Sequence, residues 1–199
     1  MPLHIPPAPA AAERSILAAL LPPEVPTTAS DSPPTGRGPL HPAPLADLTP
    51  VLPLPVHQLT PTTRPAEEPH ATLTGWRFLL AQDGVPVGAA EATLTADGWA
   101  FSHFCAGPFV ASTERAMRLG EALPRAYQPR LLSVPQLYML TLWLHADHEA
   151  AADSGALAPD DLLVPLAPAP PGIAAEQPAP AATLLPLLTS RVPTLDLAS

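Results

Sequence analysis

The chain has no lysine, no asparagine and a single cysteine, Cys105. One thiol excludes an internal disulfide framework. All nine cationic side chains are arginine, set against 18 carboxylates, and the net charge is −9. No basic cluster appears anywhere, so nucleic-acid binding, which needs Lys or Arg to neutralise phosphates, is not expected. The missing lysine and asparagine share A-rich codons and read as the mark of a GC-rich bacterial genome. No apolar run approaches the roughly 20 residues of a transmembrane helix. The N-terminal stretch MPLHIPPAPAAAERS lacks the basic start of a signal peptide. The expected location is cytoplasmic.

Proline is what the chain has in excess, with 32 in 199 residues. Each proline removes a backbone donor and fixes φ, which works against regular helices and central strands. The prolines crowd residues 1–70 and 159–193 and thin out between. This distribution predicts one compact domain over 71–166, between a disordered Pro/Ala-rich arm at 1–70 and a second arm at 167–199 with a Leu-rich tip.

Three islands interrupt the arms. Residues 11–21, AAERSILAALL, are long enough for about three helical turns, with Ile16, Leu17, Leu20 and Leu21 on one face. Residues 45–59, LADLTPVLPLPVHQL, are apolar but broken by three prolines and read as extended chain crossing a groove. Near the C-terminus Leu184, Leu185, Leu187 and Leu188 straddle Pro186. Such apolar tips on tethers read either as docking motifs for a partner or as segments folding back on their own domain.

Within 71–166 the periodicity predicts an α+β unit of order β-β-β-α-β-β. Residues 72–81 and 85–94 alternate as strands about the turn Gln82-Asp83-Gly84. A second Asp-Gly turn at 97–98 leads into the strand 99–106. Gly107-Pro108 opens a helix whose apolar face carries Phe109, Thr113, Ala116, Met117, Gly120 and Leu123. Residues 130–145 favour a long strand bulged at Pro135, and a helix over 135–152 is the rival reading. Residues 162–166 close the sheet, with 147–161 as the loop before them. The order is similar to small cystatin-like domains, a resemblance of topology that carries no function.

Candidate chemistry is sparse. His103 and Cys105, two apart on a strand, share a face, which the alternation also assigns to Trp99 and Phe101. A thiol just before a helix start, beside a histidine, is the arrangement of a Cys–His nucleophile, although a lone cysteine more often packs as a small hydrophobe. His145 and His148 lie in the run HADHE and are candidate metal ligands only if that run is helical; a solvated acidic loop is the plainer reading. No cofactor motif is present. Arg77 and Glu91 are expected as cross-strand neighbours. The functional expectation is a non-enzymatic interaction or assembly protein, binding another protein or itself through Ile16, Leu17, Leu20, Leu21, Leu184, Leu185, Leu187 and Leu188. The alternative is a small-molecule or Cys/His site in an apolar pocket lined by Trp76, Phe78, Trp99, Phe101 and Trp143.

Overall fold

The two Asp-Gly turns close hairpins. Asp83 and Gly84 both take positive φ, 51° and 79°, as a two-residue hairpin loop of the primed type requires. They join β2 (His70–Gln82) to β3 (Val85–Thr95), and Gly98 begins β4 (Gly98–Cys105). Pro108 takes the first position of α2 (Pro108–Glu121), where its missing N–H costs nothing. These elements appear where periodicity put them. The computed structural model describes residues 3–21, 45–60 and 70–191.

The sheet is larger than expected. Among the described residues it has eight strands in the order β4-β3-β2-β1-β5-β6-β7-β8, and three α-helices cover it. The additional strand at its centre is β1 (Thr49–Thr60), from the segment read as arm. From β1 the chain meanders outward through β2, β3 and β4 to one edge. It then returns over one face as α2 and lays β5 (Gln128–Val134) parallel to β1 on its other side. A second meander, β6 (Met139–His145), β7 (Leu162–Pro165) and β8 (Ala179–Pro180), runs to the opposite edge.

Proline was expected to keep residues 45–59 out of a sheet, and the register explains its admission. β5 pairs only with Val56, His57 and Gln58. The proline-bearing half of β1 is therefore an edge on that side. Pro53 and Pro55, two residues apart, present their missing donors to the same side. Leu52, at φ 48°, forms a bulge between the pairs Val51↔Leu79 and Pro53↔Phe78.

Residues 130–145 are strand, not helix, but two strands rather than one bulged strand. Pro135 ends β5, and Tyr138, at φ 50°, donates its N–H to the Pro135 carbonyl at 3.0 Å, closing a tight hairpin into β6. Every residue of β6 is buried. Leu140, Leu142 and Leu144 face α2, while Met139 and Trp143 face the other layer.

That other layer is built from both arms. α1 (Ala10–Leu20) sits on β3 and β4, with Ala12, Ile16 and Leu20 packed on Trp76, Phe78, Leu80, Ala90 and Ala92. α3 (Ala181–Arg191) packs Leu184, Leu185 and Leu188 on Leu132, Val134, Trp143 and Leu163. The segment between β7 and α3 is held as well: Ser112 of α2 donates to Glu176 at 2.8 Å and accepts from the Ala167 N–H at 2.8 Å. The small five-stranded sheet with one helix and outlying arms is thus corrected, because apolar stripes in the arms cover a face that α2 leaves bare. The expected disorder of residues 22–44, 61–69 and 192–199 falls outside the described residues. No helix among the described residues is long and apolar enough to cross a membrane.

Candidate functional site

A β-bulge decides the geometry around Cys105. β3 and β4 pair Ala92 with Phe101 and then Glu91 with His103, so Ser102 has no opposite number. One extra residue turns every later side chain to the other face. Phe101 and Phe104 therefore stack together, ring centroids 4.7 Å apart, in the layer under α1. His103 and Cys105 point to the α2 side. The expectation that they share a face with Trp99 and Phe101 is corrected by this bulge.

On the α2 side they meet Glu91. The ligand atoms of Glu91, His103 and Cys105 all lie within 4.8 Å of one another. Glu91 Oε1 accepts from Arg77 Nε at 2.6 Å and is bonded by a second guanidinium nitrogen, and Arg77 is its cross-strand partner as expected. Glu91 Oε2 lies 3.8 Å from His103 Nε2. Ser102 Oγ lies 3.0 Å from His103 Nδ1. The pair Arg77–Glu91 is mostly buried, His103 is exposed, and Cys105 is half-buried beside Leu79, Ala89 and Val110. Burial pushes the Cys105 thiol above its ordinary range; Arg77 pulls it down and Glu91 pushes it further up. A resting thiolate nucleophile is not what this environment favours. Counting back from the Asp97-Gly98 turn in regular register sets Glu91 opposite Ser102, so the bulge had to be known before Glu91 could be placed with His103.

A second polar cluster lies under α3, and sequence reasoning missed its centre. Asp161 is fully buried. It accepts from Trp143 Nε1 at 2.7 Å, from the Ala146 and Ala158 N–H groups at 2.8 and 2.9 Å, and lies 3.0 Å from His145 Nδ1. Burial works to raise its pKa, but these hydrogen bonds outweigh burial and hold it below the usual carboxylate value. Arg130, 0% exposed, stacks 4.8 Å over the Trp143 ring. It donates to Gln128 Oε1 at 2.7 Å and to the Ala151 and Ser154 carbonyls, pinning the loop before β7. His57 completes the stack, edge-on to Trp143 at 5.2 Å. Among the described residues neither ring nitrogen makes a well-formed hydrogen bond. Burial, helped by Arg130, lowers its pKa to about 4, against a smaller upward pull from the Pro55 and Asp153 backbone and the Asp153 carboxylate. His57, Gln128, Arg130, Trp143, His145 and Asp161 are all buried.

The candidate metal ligands His145 and His148 go separate ways. His145 is committed to Asp161, and His148 is half-buried, 3.4 Å from Glu149. His148 borders an open cavity of about 750 Å³ lined also by Arg125, Asp147 and Asp160. Of the expected docking residues, Ile16, Leu20, Leu184, Leu185 and Leu188 are buried in the protein's own core. Leu17, Leu21 and Leu187 stay exposed, at 44%, 68% and 47%. The five aromatics expected to line one pocket are divided: Trp76, Phe78, Trp99 and Phe101 pack under α1, and Trp143 packs under α3. No family model matches the chain, and no curated protein or solved structure is significantly similar to it.

Proposed function

We propose that this protein is a non-enzymatic interaction or assembly module whose partner, another protein or a second copy, adds a strand to β4. The observation that carries the reading is the place of β4 at the end of the strand order among the described residues. Residues 98–103 of that strand are long enough to template a guest strand, and main-chain hydrogen bonds supply the affinity. The opposite edge ends in β8, two residues beside α3, so among the described residues β4 is the longer of the two edge strands. Leu17 and Leu21 of α1 and Leu94 of β3 are exposed on the face flanking that edge. With no basic cluster, phosphate backbones are not part of this reading.

Two full-length variants test it. Ser102→Pro places a donorless residue on the edge at the position β3 leaves unpaired, and Leu17→Asp/Leu21→Asp charges the flank. The measurements are mass by light scattering and co-purification from the native host. Self-association or partner capture is expected in the parent and lost in both variants, with cooperative thermal unfolding retained. Unchanged mass and unchanged capture in both folded variants reject the strand-addition reading.

A further inference from the structure

The cluster on β3 and β4 has the chemistry of a cation site, independent of strand addition. We propose that Glu91, His103 and Cys105 bind a divalent cation of the zinc type, with solvent in the fourth position. A thiolate, an imidazole and a carboxylate together form the donor set that zinc accepts in tetrahedral geometry. Calcium and magnesium, which take oxygen ligands, are disfavoured by it.

Three features support a site over a chance meeting of side chains. The ligands stand on two hydrogen-bonded strands, with Glu91 directly opposite His103 and Cys105 two residues further on the same face, so the backbone presets their spacing. The second contacts are already made. Arg77 occupies Glu91 Oε1 and leaves Oε2 turned toward His103. Ser102 Oγ, 3.0 Å from His103 Nδ1, is placed to accept that N–H once a cation takes the Nε2 lone pair on the Glu91 side. The site is also reachable, because His103 is exposed. Ligand atoms around zinc stand about 3.3–3.8 Å apart, as bond lengths near 2.0–2.3 Å require. All three ligand atoms already lie within 4.8 Å of one another, so side-chain shifts of about 1 Å bring them to that spacing. On binding, the Cys105 thiol forms the sulfur–metal bond and releases its proton to solvent.

The test is titration of the reduced full chain with Co²⁺, read by the thiolate-to-cobalt charge-transfer band, followed by displacement with Zn²⁺. One equivalent with that band, and a dissociation constant in the micromolar range or tighter, is expected. Cys105→Ser removes the band. His103→Ala, at an exposed position that the fold does not need, weakens binding at least tenfold. Ser102→Ala weakens it roughly tenfold, as loss of an outer-shell partner does. No charge-transfer band in the parent overturns the proposal. So does equal zinc affinity in the parent, Cys105→Ser and His103→Ala, which would put the metal elsewhere, for instance at the group His4, His148 and Glu149.

Discussion

His57 of β1 is enclosed against Trp143, and among the described residues neither nitrogen makes a well-formed hydrogen bond. Its folded pKa, about 4, lies below the ordinary 6.5. The unfolded chain therefore takes up a proton between those values while the native chain does not, and stability falls as pH drops through that window, by up to about 3 kcal/mol. Asp161, whose folded pKa is depressed, adds a loss in the same direction at still lower pH. Chemical denaturation at pH 7 and pH 4.5 should show the difference, and His57→Leu should abolish most of it without lowering stability at pH 7. At Asp161 a different outcome is expected. Asp161→Ala strands the Trp143 N–H and two backbone N–H groups in the interior, and a loss of about 3 kcal/mol or more should appear in the same denaturation curves. Gly155 is a steric case: a Cβ there would lie 1.6 Å from the Ala71 carbonyl oxygen. Gly155→Ala should displace the loop from β2 and cost about 2 kcal/mol or more, read as a lowered midpoint.

At the scale of elements, α3 shows how burial outweighs propensity. Pro186 lies inside it and removes a backbone hydrogen bond, a cost of about 3 kcal/mol in an isolated helix. Burial of Leu184, Leu185 and Leu188 at roughly 1.5–3 kcal/mol each exceeds that. The same reasoning separates two kinds of leucine that look alike in the sequence. Ile16→Ala and Leu188→Ala should each cost about 2–5 kcal/mol in urea unfolding, because both side chains are fully buried. Leu17→Ala and Leu187→Ala should stay within about 0.5 kcal/mol, because both are exposed. A uniform effect across the four would show that the helices are not seated as described.

At the scale of the whole molecule, two antiparallel meanders meet along a short parallel seam, three residue pairs between β1 and β5. β1 also pairs along its length with β2, so among the described strands it joins the two meanders, beside an isolated bridge between His70 and Ala156. The fragment 71–166, which periodicity alone marks as a domain, contains both meanders' inner strands but lacks the strand that joins them. It should show no cooperative thermal transition by circular dichroism, whereas the full chain should. The charge of −9 on 199 residues favours dispersal of the chain in solution, so any association has to come from directed contacts such as the β4 edge.

Much of the centre was legible in order. The strands about Asp83-Gly84 and Asp97-Gly98, the helix opened by Pro108, and the pairing of Arg77 with Glu91 all follow from turn chemistry and period, which act over a few residues. What lay beyond that range was misread. The tightness of the Pro135–Tyr138 turn hid a hairpin inside one apolar run. A single bulged residue, Ser102, reversed the face of His103 and Cys105 and so brought Glu91 to them instead of Trp99. Asp161, in an acidic loop, had no local mark of burial; its partners come from β6 and the loop itself only after folding. Residue type and near neighbours were enough to read the local elements and to rule out a disulfide between two cysteines of this chain, because those act over a few residues or rest on a count. Whether a proline-rich segment becomes a central strand, or a leucine tip becomes core, was decided by tertiary structure, because both depend on a sheet face left uncovered by residues distant in the chain.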